Sequence, residues 1–315
     1  MKILLVADVP GWAWDHKADA IIRNLSHLHD IDKIYCRSAD YEKINPRSYD
    51  AIHFFGWQGS PWVDLCTTAV SSHNFRRDIP YAQREISKFR GVSAVCRLIY
   101  NELKSLNLKC PVYLCENGVE TDWFTPPNKK KSTNDFVIGW SGQISHASTD
   151  QHGYHNILIP LKKQLEQNDV KLKIITNNWE NAMPHREMIN FYHGLDVMLH
   201  TGHLTGTPNP IFEAASCEVP VLSTTIGSAN DMIINGKNGF LFELFDNFPK
   251  HAGNVVTNIY NGIMYLKNNR DLCESLGKEA RKTVVRDWTW KERAKQWLPV
   301  FENHRIKNED INVMR

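Results

Sequence analysis

Short apolar runs alternate with helix-like stretches along most of the chain. Ile3 to Ala7 is a five-residue apolar run that Asp8 closes. After a loop, Ala18, Ile21, Ile22, Leu25 and Leu28 recur at spacings of three and four, which puts them on one helical face. Apolar runs return in "DKIYC", "DAIHFF", "TTAVSS", "GVSAVC" and "PVYLCEN". A second series has runs at "FVIGW", "LKIIT", "DVMLH", "PVLST" and "GFLF", with helical stretches around 153–167, 184–193 and 211–217. Strands and helices in alternation predict parallel sheets with helices on both faces.

Between the two series lies "TPPNKKKSTND", with two prolines, three lysines and nothing to bury, which reads as a linker with a solvated face. The expected fold is therefore α/β, with two Rossmann-like doubly wound domains facing each other across a cleft. The domains are expected at 1–125 and 136–287, joined by a linker at 126–135. In the last stretch, 288–315, an apolar stripe of Trp288, Trp290, Ala294, Trp297, Leu298 and Phe301 predicts a helix packing back on the first domain.

Composition agrees with two cores, since 315 residues at 42% apolar and 10% aromatic content suffice for both. A formal charge of +2 gives no overall field toward nucleic acid or membrane. The first apolar run is too short for a signal-peptide core, and no stretch approaches a membrane span. A cytoplasmic location is expected, with peripheral membrane contact left open. Seven cysteines without a Cys-x-x-Cys pair fit reduced thiols, and Cys110 and Cys115 read as core residues.

In open parallel sheets ligands collect beyond the carboxyl ends of strands. In the second half those positions hold "SGQISHASTDQHGYHN", "TGHLTGTPNPIFE" and "TIGSAND", rich in Gly, Ser, Thr and Asn. Small residues let backbone N–H groups approach a phosphate, and a helix start behind them adds partial positive charge. Glu213 falls in the first turn of the helix expected at 211–217. A carboxylate there suits the dipole and can also accept from the paired hydroxyls of a ribose. Such loops beside such a carboxylate describe a nucleotide site.

The stretch "TGTPNPIFEAASCEVPVLSTTIGSANDMIINGKNGFLF", with "ENGVETDWFTP", "FVIGWSG" and "DWTWKERAKQW", resembles the family 4 retaining glycosyltransferases with the GT-B fold. The resemblance implies transfer of a sugar from a nucleotide-diphosphate sugar, of UDP or GDP type, with no further cofactor. It assigns Glu213 to the donor ribose and Gly142 to the phosphate loop. Gly206, Asn209, Pro210 and Ile211 match the loop that contacts diphosphate and sugar. Gly11 falls under the donor phosphates, and His73 matches a histidine near the reacting sugar. Three departures stand out. Thr205 replaces the first glutamate of the family's pair. Gln143 and His152 stand where the family has the Arg and Lys that hold the diphosphate. The loop between them carries the insertion "ISHASTDQ". Arg186 or the histidines are candidates for the missing charge.

His146, His152 and His155 crowd one loop, but zinc sites show tighter, paired spacings, and no metal is expected. The implied reaction proceeds by same-face attack, with charge on the leaving diphosphate stabilised without Mg²⁺. In the first domain Trp12 and Trp14, then Trp57 and Trp62, follow predicted strands and are candidates to stack on an acceptor. Arg76 and Arg77, with Arg84, Lys88 and Arg90 beyond, suggest an anionic acceptor. The acceptor is expected to be a glycan, a lipid-linked sugar or a small molecule. Two alternatives remain: a hydroxymethylated base in DNA as acceptor, and a nucleotide-sugar or glycan binding module without turnover.

Overall fold

A computed structural model describes the chain except for residues 129–133, 146–148, 177–182, 245–247, 250–251 and 307–315. Lys129 to Lys131 of the expected linker and His146 thus lie outside the described residues. The chain divides into two compact units, Met1–Gly118 with Trp290–Arg315, and Val119–Thr289.

The first unit holds a six-stranded parallel sheet. Its strands are β1 (Lys2–Ala7), β2 (Asp30–Tyr35), β3 (Ala51–Phe54), β4 (Cys66–Val70), β5 (Val92–Ala94) and β6 (Val112–Leu114). They lie in the order β2-β1-β3-β4-β5-β6. Every residue of β3, β4 and β5 is buried, which is why these segments read as unbroken apolar runs rather than alternating ones. Helix α1 (Ala13–Leu25) lays Ala18, Ile21 and Leu25 into the core. Leu28, expected on that face, lies past the helix end and is 51% exposed.

Helix α1 also buries Lys17, whose ammonium sits 5.6 Å from the centre of the Phe55 ring. Burial pulls its pKa down from 10.5 to about 8, with a small opposing pull from Cys115. Below pH 8 the folded state therefore carries a poorly solvated charge, and stability rises as pH climbs from 8 toward 10.5. Lys17→Met fills similar space without the charge, so it is expected to stabilise the first unit by about 2 kcal/mol at pH 7. The gain should fade above pH 10 in denaturant titrations; a loss of stability at pH 7 would show that Lys17 has a compensating partner.

From Trp290 onward the chain runs as Trp290–Arg293, a 3₁₀ turn over Ala294–Trp297, and Leu298–Glu302, not as one helix. Pro299, without an N–H to donate, opens the last of these pieces. Trp290, Ala294, Trp297, Val300 and Phe301 join Ile3, Leu5, Ile21 and Phe55 in one core.

The second unit holds β7 (Phe136–Gly142), β8 (Val170–Thr176), β9 (Val197–His200), β10 (Val221–Thr224) and β11 (Gly239–Phe242). They are parallel, in the order β11-β10-β9-β7-β8. Val119 and Phe124, which precede the expected linker, pack here with Tyr192, Phe212 and Trp288. Two helices absent from the sequence reading, α2 (Ala252–Asn268) and α3 (Arg270–Asp287), close this unit's core. Val255, Val256, Ile259, Ile263 and Leu266 recur at helical spacing along the first of them and are all buried.

In each sheet the first strand lies between the second and third, so the winding reverses between β1 and β3 and between β7 and β9. Crevices for ligands open at the carboxyl ends of strands at such reversals. Among the described residues no helix is long and apolar enough to cross a membrane. All seven cysteines are free thiols, and all but Cys36 are buried.

Candidate functional site

Three loops leave the carboxyl ends of β7, β9 and β10, and glycines let them touch backbone to backbone. A Cβ on Gly153 would come 2.1 Å from the Thr201 carbonyl oxygen. A Cβ on Gly227 (φ +54°) would come equally close, at 2.1 Å, to the carbonyl oxygen of Gly206. Ser228 then donates its N–H to that Gly206 carbonyl at 2.8 Å. Gly142 closes β7 beneath the Trp140 indole, which lies 2.8 Å from where a side chain would begin. That indole donates to Thr201 Oγ1 at 2.9 Å, and Thr201 donates in turn to the His152 carbonyl at 2.6 Å. Gln143 follows directly on β7, and Asp150 caps the next helical turn through the N–H groups of His155 and Asn156. His155 is committed to the Ser145 carbonyl, at 3.0 Å. Among the described residues no group of three or more His, Cys, Asp or Glu is placed to hold a metal ion.

Helix α4 spans Asn209–Ser216, with Pro210 in its first turn and no acidic residue there. The first-turn reading of Glu213 is thereby corrected: two helical residues precede the expected start at 211, so the dipole argument does not hold this carboxylate. Side chains do. Glu213 is buried, with Oε2 accepting from the Tyr192 hydroxyl at 2.5 Å and Oε1 from His185 Nε2 at 2.8 Å. Burial, then the adjoining carboxylate, pushes the Tyr192 phenol well above its ordinary pKa. Phe124 stands 5.3 Å from the His185 ring, and the Arg186 guanidinium stacks 4.1 Å over Trp123. His185 and Tyr192 escaped the sequence reading, although seven residues separate them and place both on one face of "HREMINFY". Each carboxylate oxygen keeps a second lone pair for a ligand hydroxyl.

At the end of β9, His200 points to β10, where its Nδ1 meets Ser223 Oγ at 2.9 Å. Ser223 donates to the Thr224 carbonyl, so the imidazole donates through Nδ1 and Nε2 carries the lone pair. Burial, aided by His152, lowers the His200 pKa to about 3. Burial likewise lowers His152. Thr205 Oγ1 is buried without a partner close to His200 Nε2: each would lie 2.7 Å from a Cβ on Gly202.

In the first unit Gly11 adopts φ +77° and donates its N–H to Asp15 at 2.7 Å. Burial alone would raise the Asp15 carboxyl, but hydrogen bonds from Lys33, Gly11 and Tyr35 hold it below its ordinary value. The Gly11 N–H is thus satisfied within the protein. Trp12 is half-buried at the start of α1, while Trp14 packs against the core and over Gly56. Trp57 packs between two core clusters and beside Tyr81, and Trp62 pairs with Tyr41 at 4.7 Å.

His73 opens a 3₁₀ turn (His73–Arg77) after β4, and its ring is buried with Nδ1 3.3 Å from Glu102 Oε2. Arg76 grips both oxygens of Glu102. Arg84 and Lys88 pair with Glu85, and Arg90 reaches the Arg305 carbonyl at 3.3 Å. Most of the expected acceptor-binding cations therefore have partners inside the unit, and Arg77 stands exposed beside them.

Residues 155–299 match the family described as glycosyl transferase-like. The chain is 28% identical to the capsular polysaccharide biosynthesis glycosyltransferase CapM of Staphylococcus aureus, over 53% of this chain and 48% of CapM. It thus spans about half the length of that relative. Among solved structures, HepE of Anabaena in complex with UDP and glucose superposes with a TM-score of 0.69 at 13% identity, covering 96% of this chain and all of HepE. TarM of S. aureus, in complex with fondaparinux, α-GlcNAc-glycerol and UDP, gives 0.66 at 15% identity, covering 84% of this chain and 57% of TarM. The chain carries a glycosyl transferase-like segment within two parallel-sheet, Rossmann-like units, the fold of glycosyltransferases of the GT-B type.

Proposed function

We propose that this chain is a retaining glycosyltransferase of the family 4 type that moves a sugar from a nucleotide-diphosphate sugar to an acceptor hydroxyl. The observation that carries the reading is the knitted set of loops at the carboxyl ends of β7, β9 and β10, with the buried Glu213 on the helix behind them. Glu213 accepts from the ribose hydroxyls through its two remaining lone pairs. Gly142, Gln143, Gly206, Asn209, Pro210 and Ile211 line the diphosphate and sugar, with His152 and Arg186 as the nearby sources of positive charge. UDP is the preferred nucleotide, because HepE and TarM have both been solved with it.

In the reaction the bond from the anomeric carbon to the diphosphate breaks. The acceptor oxygen bonds to that carbon on the same face, and its proton passes to a diphosphate oxygen. Donors fixed around the leaving group stabilise its charge, so turnover needs no divalent metal. The acceptor is a glycan, lipid-linked or small-molecule hydroxyl, and the enzyme works in the cytoplasm. Arg77 favours an acceptor bearing a phosphate, whereas Arg76 is committed to Glu102. No observation in the structure favours DNA.

A panel of nucleotide sugars tests the reading. At a ligand concentration of 100 Kd the cognate donor is expected to stabilise the second unit by about 2.7 kcal/mol, seen as a raised melting temperature. Transfer or slow hydrolysis of that donor should persist in EDTA. A shift without any turnover would leave a binding module, and no shift across UDP and GDP sugars would overturn the proposal.

A further inference from the structure

Three side-chain atoms in the four residues after β4 are buried without a hydrogen-bond partner: Ser71 Oγ, His73 Nε2 and Asn74 Oδ1. Unpaired polar atoms sealed from water are costly, and three at the carboxyl end of one strand are an unusual concentration. Their chemistry is set by what lies on the other side of the imidazole. A carboxylate accepts and never donates, so the contact from Glu102 Oε2 requires the proton on His73 Nδ1. The neutral ring then offers Nε2 as an acceptor. Arg76 holds Glu102 from its far side through both oxygens, which fixes the carboxylate and keeps it ionised. Ser72 Oγ accepts from the Asn74 N–H, so the turn that carries His73 and Asn74 is itself pinned.

We propose that Glu102 is a positioning residue that acts through His73, and that Ser71, His73 and Asn74 form a subsite reading the hydroxyl groups of a sugar ring. Two acceptors and one hydroxyl suit a ligand that donates hydrogen bonds. A phosphate, which has only acceptors to offer them, is the wrong partner. This inference rests on the glycosyltransferase reading for its substrate but not for its geometry. The sugar comes from the donor or from the acceptor, and hydrolysis separates the two: loss of donor hydrolysis as well as transfer points to the donor sugar, loss of transfer alone to the acceptor.

The test combines Glu102→Leu, Glu102→Gln and Ser71→Ala with ¹⁵N NMR of the histidine rings, His73 being identified by its loss in His73→Gln. In the wild type the His73 proton is expected on Nδ1. Glu102→Leu should move it toward Nε2 and lower kcat roughly 10–100-fold, with donor KM within about threefold. Glu102→Gln keeps a carbonyl acceptor and should restore both the tautomer and most of the rate. Ser71→Ala should lower the rate without moving the tautomer, which keeps the subsite testable even if Glu102→Leu folds poorly. An unchanged tautomer in Glu102→Leu overturns the positioning role, and unchanged rates in both Glu102→Leu and Ser71→Ala overturn the subsite. If the wild type turns over no nucleotide sugar, the functional reading falls and the substrate of the subsite with it. The tautomer still decides the part played by Glu102.

Discussion

Glu213→Ala is expected to weaken nucleotide-sugar binding and to destabilise the second unit at the same time. Losing two charge-assisted hydrogen bonds to a ribose costs roughly 2–4 kcal/mol of affinity. The same substitution strands the Tyr192 hydroxyl, which is fully buried and donates to Glu213 at 2.5 Å, and removes the acceptor for His185. A stability loss on the order of 3 kcal/mol follows from leaving such a donor unpaired and opening a gap around it. Tyr192→Phe separates the two effects, since it deletes the stranded donor and leaves the carboxylate in place. It should cost much less stability than Glu213→Ala and keep donor affinity within a few-fold by calorimetry. If Glu213→Ala unfolds more easily yet binds UDP sugars as tightly as the wild type, the carboxylate is a strut for Tyr192 and His185, and the ribose assignment is wrong.

Acid should unfold both units through histidines that stay neutral inside them. His53 on β3 meets Thr67 on β4 at 2.8 Å, as His200 on β9 meets Ser223 on β10 at 2.9 Å, and each ring is buried. Burial holds His53 well below its ordinary pKa, with Lys17 adding to the shift, and holds His200 at about 3. Both groups bind a proton more readily in the unfolded chain. Their contribution is complete above pH 6.5 and is lost as pH falls toward the folded value, on the order of 4 kcal/mol for His200. His200→Asn keeps a donor for Ser223 and cannot charge. It should flatten the dependence of unfolding free energy on pH by about 1.4 kcal/mol per unit between pH 6 and 4.5. Each unit contains one of these rings, so His53→Asn should act on the other unfolding transition if the two separate. An unaltered slope in His200→Asn would mean that water reaches the imidazole in the folded state.

The sheets were legible because every strand announced itself as a short apolar run, and burial on both faces leaves no room for polar alternation. Positions tied to strand ends were legible for the same reason: Gly142, His73 and the loop containing Gly206 could be placed once the strands were. The partners of a side chain were not. Nothing in the spacing near Glu213 says that Tyr192, on another helix, donates to it. Likewise Glu102 lies 29 residues from His73 and reaches it only because β4 and the helix Arg97–Ser105 fold side by side. The arginines show the opposite failure. A cluster of charge in sequence suggests a ligand, whereas the fold answers most of it internally, Arg76 through Glu102 and Arg84 through Glu85. The helix start at Asn209 was missed because two prolines in "TPNPIF" look like loop, although proline in the first turn is favourable to a helix.

The contact between Gly206 and Gly227 bears on the entropy of binding. Ser228 fastens the loop after β10 to the carbonyl of Gly206, and no side chain intervenes between the two backbones. Neither loop can swing away without breaking that hydrogen bond and carrying the other along, so the pair behaves as a single stiff rim. A ligand settling on a rim already set in place has few chain conformations to freeze. Most of its interaction energy then remains as affinity, and little is consumed in ordering the protein.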